Sequence, residues 1–252
     1  NSYSTGTQNF GANVIGSLNS IRTKSYSGTS GVANSIVGIA NIAENANGAL
    51  IYGAGNQISN SIRPITSIDV TKGSSTVDGM VDSLRNAVQK EEGGATLAIG
   101  GGNTADWTQA SQLVGVNNTL TGTETSVSKY NMINGYKNTA TNVSNVKIIG
   151  SNNVIREKAN SNTLIGDNRV IADEQTNNVI IGNADEKTPI TTVKKDTVIL
   201  GHNANATVDG GAAIGAGSVA AIDKDQIGYD PANGDHQNDT TGTWKSTAAA
   251  VS

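Results

Sequence analysis

The chain has 252 residues, a net charge of −4, no cysteine, a single Phe and only 4% aromatic residues. The lack of cysteine excludes disulfides, thiolate metal sites and a cysteine nucleophile. The acidic balance without a basic run argues against nucleic acid or an anionic membrane surface as a direct partner. Because large rings are scarce, a core must come from many small, regular contacts of Val, Ile and Ala, which is typical of a repeat protein.

A short apolar strand that ends in glycine recurs eleven times, from NVIG at 13–16 to AAIG at 212–215. Most successive glycines lie 14, 15 or 16 residues apart, and the exceptions are spacings of 19, 20 and 22 and one gap of 47. This repetition predicts an all-β solenoid with coils of about 15 residues over 1–58 and 95–221. Eleven glycines are predicted to form corners: Gly16, Gly38, Gly53, Gly100, Gly115, Gly135, Gly150, Gly166, Gly182, Gly201 and Gly215.

The residue two positions before each glycine is apolar in all eleven segments and forms the predicted core. The residue just before the glycine is apolar or aromatic in ten segments, and Asn134 is the exception. Since neighbouring side chains of a strand point to opposite faces, these strands need burial on both sides. The predicted core residues are Val14, Ile36, Ile51, Ala98, Leu113, Ile133, Ile148, Leu164, Ile180, Ile199 and Ala213.

One side of each strand can face the interior of its own coil, but a thin two-strand roll leaves the other side without cover. Lateral association of identical chains around an axis would bury it, which predicts a homo-oligomer. The alternative is a monomeric solenoid whose second apolar face is covered by its own loops.

In the first seven segments, the third residue after the glycine is asparagine. The fifth residue after the glycine is small or apolar in the same segments. Gly and Asn tolerate the left-handed backbone of a corner. Stacked Asn side chains can also bond from coil to coil. Each coil is therefore predicted as a strand, a Gly-Asn corner, a second strand and a polar return.

The long gap between glycines places an insertion at 59–94. Val77, Val81, Leu84 and Val88 lie on one face of a helix predicted over 76–91, and Ser75 begins a capping box with the residue three positions later. A strand-like segment, 65–70, precedes it.

The insertion can brace the assembly, or it can carry a specific contact, since binding residues favour loops on rigid scaffolds. Its predicted exposed charges, which are the candidate binding residues, are Arg85, Lys90, Glu91 and Glu92.

Three segments carry a family resemblance: DGGAAIGAGSVAA at 209–221, NNVIIG at 177–182, and the tail IGYDPANGDHQNDTTGTWKSTAAAVS at 227–252. They resemble the YadA-like head of trimeric autotransporter adhesins. The resemblance implies a left-handed parallel β-roll, a homotrimer and a closing segment, 222–252, that leads to a neck. It also implies a bacterial cell-surface location on a stalk anchored in the outer membrane, with stalk and anchor outside these residues. The implied partners are extracellular matrix proteins, the host cell surface or other bacteria.

We expect no enzyme, no cofactor, and no catalytic or metal-ligating residue, since His202 and His236 are isolated in the sequence. The alternative is a hexapeptide-repeat acyltransferase, which needs an apolar residue every six positions and a catalytic His. His202 is predicted to have no carboxylate neighbour at the matching positions of adjacent coils. An ice-binding solenoid would need rows of Thr in register, which the sequence is not expected to provide.

Overall fold

The chain forms a parallel β-solenoid of about eleven turns, which confirms the predicted all-β solenoid architecture. This computed structural model describes residues 9–22, 30–62, 76–90, 93–228 and 245–252, which include one helix. The chain divides into two compact units, 1–146 and 147–252.

In the first unit, most turns give one strand to each of two parallel sheets. The strands with the glycine motif form the motif sheet: β1 (Asn13–Ser17), β3 (Ser35–Ile39), β5 (Leu50–Ala54), β7 (Leu97–Gly101), β10 (Gln112–Val116) and β13 (Met132–Tyr136). The second strands form the opposite sheet: β2 (Ser20–Arg22), β4 (Ile42–Glu44), β6 (Gln57–Ser59), β8 (Thr104–Asp106), β11 (Thr119–Thr121) and β14 (Thr139–Thr141). A third, short sheet pairs β9 (Thr108–Gln109) with β12 (Ser128–Lys129).

The second unit repeats the arrangement. Its motif-sheet strands are β15 (Lys147–Ser151), β17 (Thr163–Ile165), β19 (Val179–Ile181), β21 (Val198–Leu200) and β23 (Ala212–Ile214). Its opposite-sheet strands are β16 (Val154–Ile155), β18 (Arg169–Ile171) and β20 (Ile190–Thr192), and a short pair is formed by β22 (Asn205–Ala206) and β24 (Val219–Ala220).

Strand register stacks like residues on one another. In the pairing of β3 with β5, Ile36 lies beside Ile51 and Gly38 beside Gly53. Ten of the eleven predicted core residues are fully buried, and the opposite sheet meets them with a matching column that includes Ile58 and Leu120. The exception is Val14, which is 45% exposed; among the described strands, β1 lies at the edge of the sheet and pairs only with β3.

The glycines do not form the corners. In the first seven coils each glycine lies inside its strand, and in all eleven coils φ lies between +110° and +152°. A Cβ on Gly115 would lie 2.0 Å from the carbonyl oxygen of Gly135, so close approach of two backbones requires glycine here. The left-handed corner residue comes two positions later, as at Ala40 (φ 56°) and Lys137 (φ 54°).

The asparagines after the corners are not left-handed either. They are buried, apart from the half-buried one in the first coil, and each bonds to its neighbours in adjacent coils. Asn56 donates from Nδ2 to Asn41 Oδ1 at 3.1 Å and to the carbonyl oxygen of Gly100 at 2.9 Å. The predicted stacking of asparagines is therefore present, but inside the roll rather than at its corner.

The insertion contains helix α1, Val77–Gln89, two residues shorter at its C-terminal end than predicted. Thr76 caps it, because Thr76 Oγ1 accepts a hydrogen bond from Gly79 N at 3.2 Å; the predicted Ser75 and the strand-like segment 65–70 lie outside the described residues. Its buried contact is Ala87 against Val32. Two residues of the predicted apolar face are exposed, Val77 at 70% and Val81 at 49%.

The described ends of the closing segment pair with the last motif-sheet strand. Ser252 N donates to the carbonyl oxygen of Ala212 at 2.8 Å, and Ile214 N donates to the carbonyl oxygen of Ser252 at 2.7 Å. Ala250 N also bonds to the carbonyl oxygen of Ile222 at 2.9 Å. These bonds satisfy part of the edge of β23, where an open strand would otherwise expose its backbone groups.

Candidate functional site

The outer face of the motif sheet carries a column of apolar side chains that nothing described in the same unit covers. It consists of the residues just before the glycines, and we call it the apolar column. Seven of its ten apolar members are between 38% and 54% exposed. The members are Ile15, Val37, Tyr52, Ile99 and Val114 in the first unit, and Ile149, Ile165, Ile181, Leu200 and Ile214 in the second.

Further apolar side chains flank this column on the same faces. In the first unit they include Leu50, Ile39, Val116 and Tyr136, all exposed. The six motif-sheet strands of this unit contain no charged residue. In the second unit Val179 and Val198 take the flanking positions.

The alternation of the strand explains why this face exists. The core residue and the glycine point inward, so the residues between and beside them must point outward. With strands about 4.8 Å apart, the five apolar members in each unit extend over about 19 Å. A continuous exposed apolar patch is typical of a protein–protein contact surface.

The predicted binding residues of the insertion are only partly described. Arg85 and Lys90 are exposed on and just after α1, while Glu91 and Glu92 lie outside the described residues. Among the described residues, neither cation has an ion pair. The predicted binding role of these four residues therefore stays a prediction.

His202 has a carboxylate neighbour in the adjacent coil, although not at the matching position, because Asp185 lies three residues after its glycine and His202 one residue after its own. Its Nε2 lies 3.2 Å from Asp185 Oδ1, and Asn203 Nδ2 donates to Asp185 Oδ2 at 2.8 Å. A comparison of matching repeat positions therefore did not find this pair. Both side chains of the pair are more than half exposed.

Threonines also keep register over a short stretch, which was not expected. Thr119 lies between Thr104 and Thr139 on the opposite sheet, and Thr121 lies beside Thr141. On its other side Thr121 pairs with Asp106, so the row of threonines formed by Thr121 and Thr141 ends there. The array is therefore limited to three coils of the first unit.

Arg169 was not singled out by sequence reasoning. It lies three positions after Gly166, where the first seven coils have the buried asparagine that bonds from coil to coil. It is fully buried, and its backbone N donates to Asn153 Oδ1 at 3.0 Å. Its guanidinium donates to four carbonyl oxygens, those of Gly182 (2.9 Å), Asn183 (3.2 Å), Gly201 (3.0 Å) and Ala204 (2.7 Å). Desolvation by burial lowers the pKa of the Arg169 guanidinium.

The four carbonyl contacts explain how this cation is tolerated. Burial of a charge is costly unless its donors are satisfied, and the planar fork of Arg reaches several acceptors at once. The guanidinium thus replaces the missing asparagines of the following coils. The signal in the sequence was the loss of Asn three positions after Gly166.

A cavity of about 530 Å³ lies in the first unit beside the β9 and β12 pair, and its lining includes Trp107, Gln109 and Tyr130. Sequence reasoning missed it because its walls come from separate coils. No group of three or more His, Asp or Glu that could hold a metal ion occurs in the described part of the chain.

None of the helical residues described forms a helix long and apolar enough to cross a membrane.

Comparisons of the chain with family models, with characterised proteins and with solved structures gave no match. The interpretation of its function therefore depends on the residues and the geometry described above.

Proposed function

We propose that this chain is the surface-exposed head of a trimeric bacterial adhesin. In this proposal three chains, each a left-handed roll of about 15-residue coils, associate through their motif sheets. The head then attaches the cell to extracellular matrix proteins, host cells or other bacteria. The apolar column is the observation that carries the proposal.

The chemistry of the column supports association rather than contact with a polar ligand. The first-unit motif sheet has no charged side chain with which to orient a small polar molecule. Covering an Ile that is now about half exposed contributes about 1 kcal/mol, and the column repeats this gain strand after strand. Identical columns on identical chains suit a closed symmetric assembly.

Light scattering coupled to gel filtration tests the trimer directly. We expect a particle with three times the 25.7 kDa mass of the chain. The double variant Ile165→Lys and Ile181→Lys places two charges in the column and should release monomers that retain β-sheet circular dichroism. Val154→Lys, on the outer face of the opposite sheet, is the matched control and should remain trimeric. A wild-type chain that is monomeric at micromolar concentration would refute the assembly.

Adhesion needs its own measurement. The trimer should bind at least one of immobilised collagen, fibronectin, laminin, epithelial cells or bacteria that display the same head, with avidity gained from multivalent attachment. Failure on all of these surfaces contradicts the adhesive role.

Deletion of residues 66–94, replaced by a short Gly-Ser linker, tests the insertion. Loss of binding by a trimeric deletion variant assigns the contact to the insertion. Unchanged binding makes the insertion a structural element.

A further inference from the structure

The first unit contains a cavity built by a loop that lengthens one coil. Gly115 and Gly135 are 20 residues apart, and the extra residues form a turn in which Thr123 N donates to the carbonyl oxygen of Ser126 at 2.9 Å. Glu124 of this turn lines the cavity. The floor is the short sheet, where Gln109 lies beside Lys129. The cavity volume of about 530 Å³ is within the range of small-molecule sites.

Two aromatic residues stand at this cavity. Trp107 precedes β9 and Tyr130 follows β12, and both have a left-handed backbone, with φ of 52° and 59°. The strands hold them in place, since Ser128 N donates to the carbonyl oxygen of Trp107 at 3.0 Å and Tyr130 N donates to that of Gln109 at 3.1 Å. The same left-handed conformation recurs at the matching corners of other coils, as at Asn60 (φ 50°), so it belongs to the repeat and fixes where the two aromatic residues lie.

A buried amide faces the same space. Gln109 is only 8% exposed, and its side chain lines the cavity. It makes no side-chain hydrogen bond to any residue that the structure describes. Its amide offers two donors and two acceptor lone pairs at the wall of the cavity. A ligand with hydroxyl groups can accept a hydrogen bond from the amide donors and donate one to the amide oxygen.

We propose that this cavity binds a neutral saccharide, with Trp107 and Tyr130 packed against a sugar ring and Gln109 hydrogen-bonded to its hydroxyl groups. A pyranose ring has apolar C–H faces and a rim of hydroxyls, which match flat aromatic rings and an amide. The charged lining residues, Glu124 and Lys129, are one of each sign, so the cavity favours no ionic ligand. The volume accommodates one or two sugar rings.

This inference gives the adhesive role a ligand class and rests on the proposed function in that respect. The cavity itself is formed by the first unit of one chain and does not require a trimer. Binding of sugar by a wild-type chain that proved monomeric would therefore support the cavity even though the trimer model had failed. Adhesion of the intact trimer without sugar binding would leave the proposed function standing and reject the saccharide.

Saturation-transfer difference NMR on the full chain tests the site with a defined panel of probes. The panel contains the methyl glycosides of glucose, galactose, mannose, N-acetylglucosamine and N-acetylgalactosamine, together with lactose and the charged sialyllactose. We expect transfer to at least one neutral sugar, with a dissociation constant of about 1 mM or below, as for a small single site. Trp107 fluorescence, read in a Trp244→Phe background, should change over the same concentration range.

Two variants locate the binding. Gln109→Leu keeps the side-chain size and removes the amide, and it should weaken binding at least about tenfold. Trp107→Leu should do the same by removing the ring. Gln57→Leu, on the outer face of the opposite sheet, is the control and should bind as the wild type does, and thermal unfolding checks that each variant is folded. No transfer to any neutral sugar, binding of sialyllactose alone, or wild-type binding by folded Gln109→Leu would each overturn the proposal.

Discussion

Asn103 Oδ1 accepts two hydrogen bonds from Asn118, one from its backbone N at 3.1 Å and one from its Nδ2 at 3.0 Å. Asn103 Nδ2 in turn donates to Asn56 Oδ1 at 2.9 Å and to the carbonyl oxygen of Gly115 at 2.8 Å. Each amide thus links three successive coils. Because these groups are buried, each lost partner costs more than the hydrogen bond itself contributes.

Asn103→Ala should lower the free energy of unfolding by at least about 2 kcal/mol, because the backbone N of Asn118 loses its acceptor and the Gly115 carbonyl loses the Asn103 Nδ2 donor. Gln89→Ala, at an exposed position at the end of α1, should change it by no more than about 0.5 kcal/mol. Urea unfolding at one fixed protein concentration measures both. Equal effects of the two substitutions would contradict a stabilising ladder.

Gly115→Ala should prevent stable folding, with a loss of more than about 4 kcal/mol. Its Cβ would meet the carbonyl oxygen of Gly135 at 2.0 Å, and φ is +122°. Gly55→Ala is the control, because its φ is +68° and the nearest atom is 3.9 Å away. Ala40 occupies the equivalent corner one coil earlier, so the control should lose about 1–2 kcal/mol. Soluble yield and thermal unfolding distinguish the two outcomes.

Arg169→Met should destabilise the second unit by several kcal/mol, since four carbonyl oxygens lose their donor and each buried unsatisfied group costs about 1–3 kcal/mol. Arg169→Lys should rescue little, because one ammonium cannot reach carbonyls spread over two coils. Arg156→Met, at an exposed position, serves as the control. Hydrogen exchange at residues 182–204 should accelerate in the Arg169 variants alone.

Trimer dissociation should depend little on ionic strength. The first-unit motif sheet has no charged side chain, and β15 contributes only Lys147 in the second. Between about 0.1 M and about 1 M NaCl the screening length falls from about 10 Å to about 3 Å, which would weaken an ionic interface. Sedimentation equilibrium should show an unchanged or tighter trimer at high salt. Dissociation by salt would argue for a different contact surface.

Ala87→Asp should release α1 from the coils without unfolding them. Ala87 is fully buried against Val32, so a carboxylate there has neither room nor a partner. Amide exchange should rise across 77–89 and stay constant in the motif sheet. Asn86→Asp, on the exposed side of the helix, should leave both unchanged, and global unfolding of Ala87→Asp would contradict a separately docked helix.

Local patterns in the sequence were sufficient to predict the solenoid and its columns of side chains. Successive side chains of a strand point to opposite faces. The adjacent apolar residues Ile148 and Ile149 therefore predict one side chain that faces inward and one that faces outward. The spacing of the glycines predicted where each coil of the solenoid lies along the chain, although not which residues form its corners. Val14 departs from this pattern because its burial depends on a neighbouring strand on both sides, which the local sequence does not encode.

The sequence alone determined the repeat, the core column and the apolar column, because these depend on which residues neighbour each other along the chain. Only the tertiary structure decided what meets across coils. The Gly115 carbonyl beside Asn103, the Arg169 guanidinium on a carbonyl 35 residues away, and the cavity with Gln109 all come from segments that the loops bring together. The path of each loop and the register of the strands set these contacts, and both are properties of the folded chain rather than of any short pattern within it.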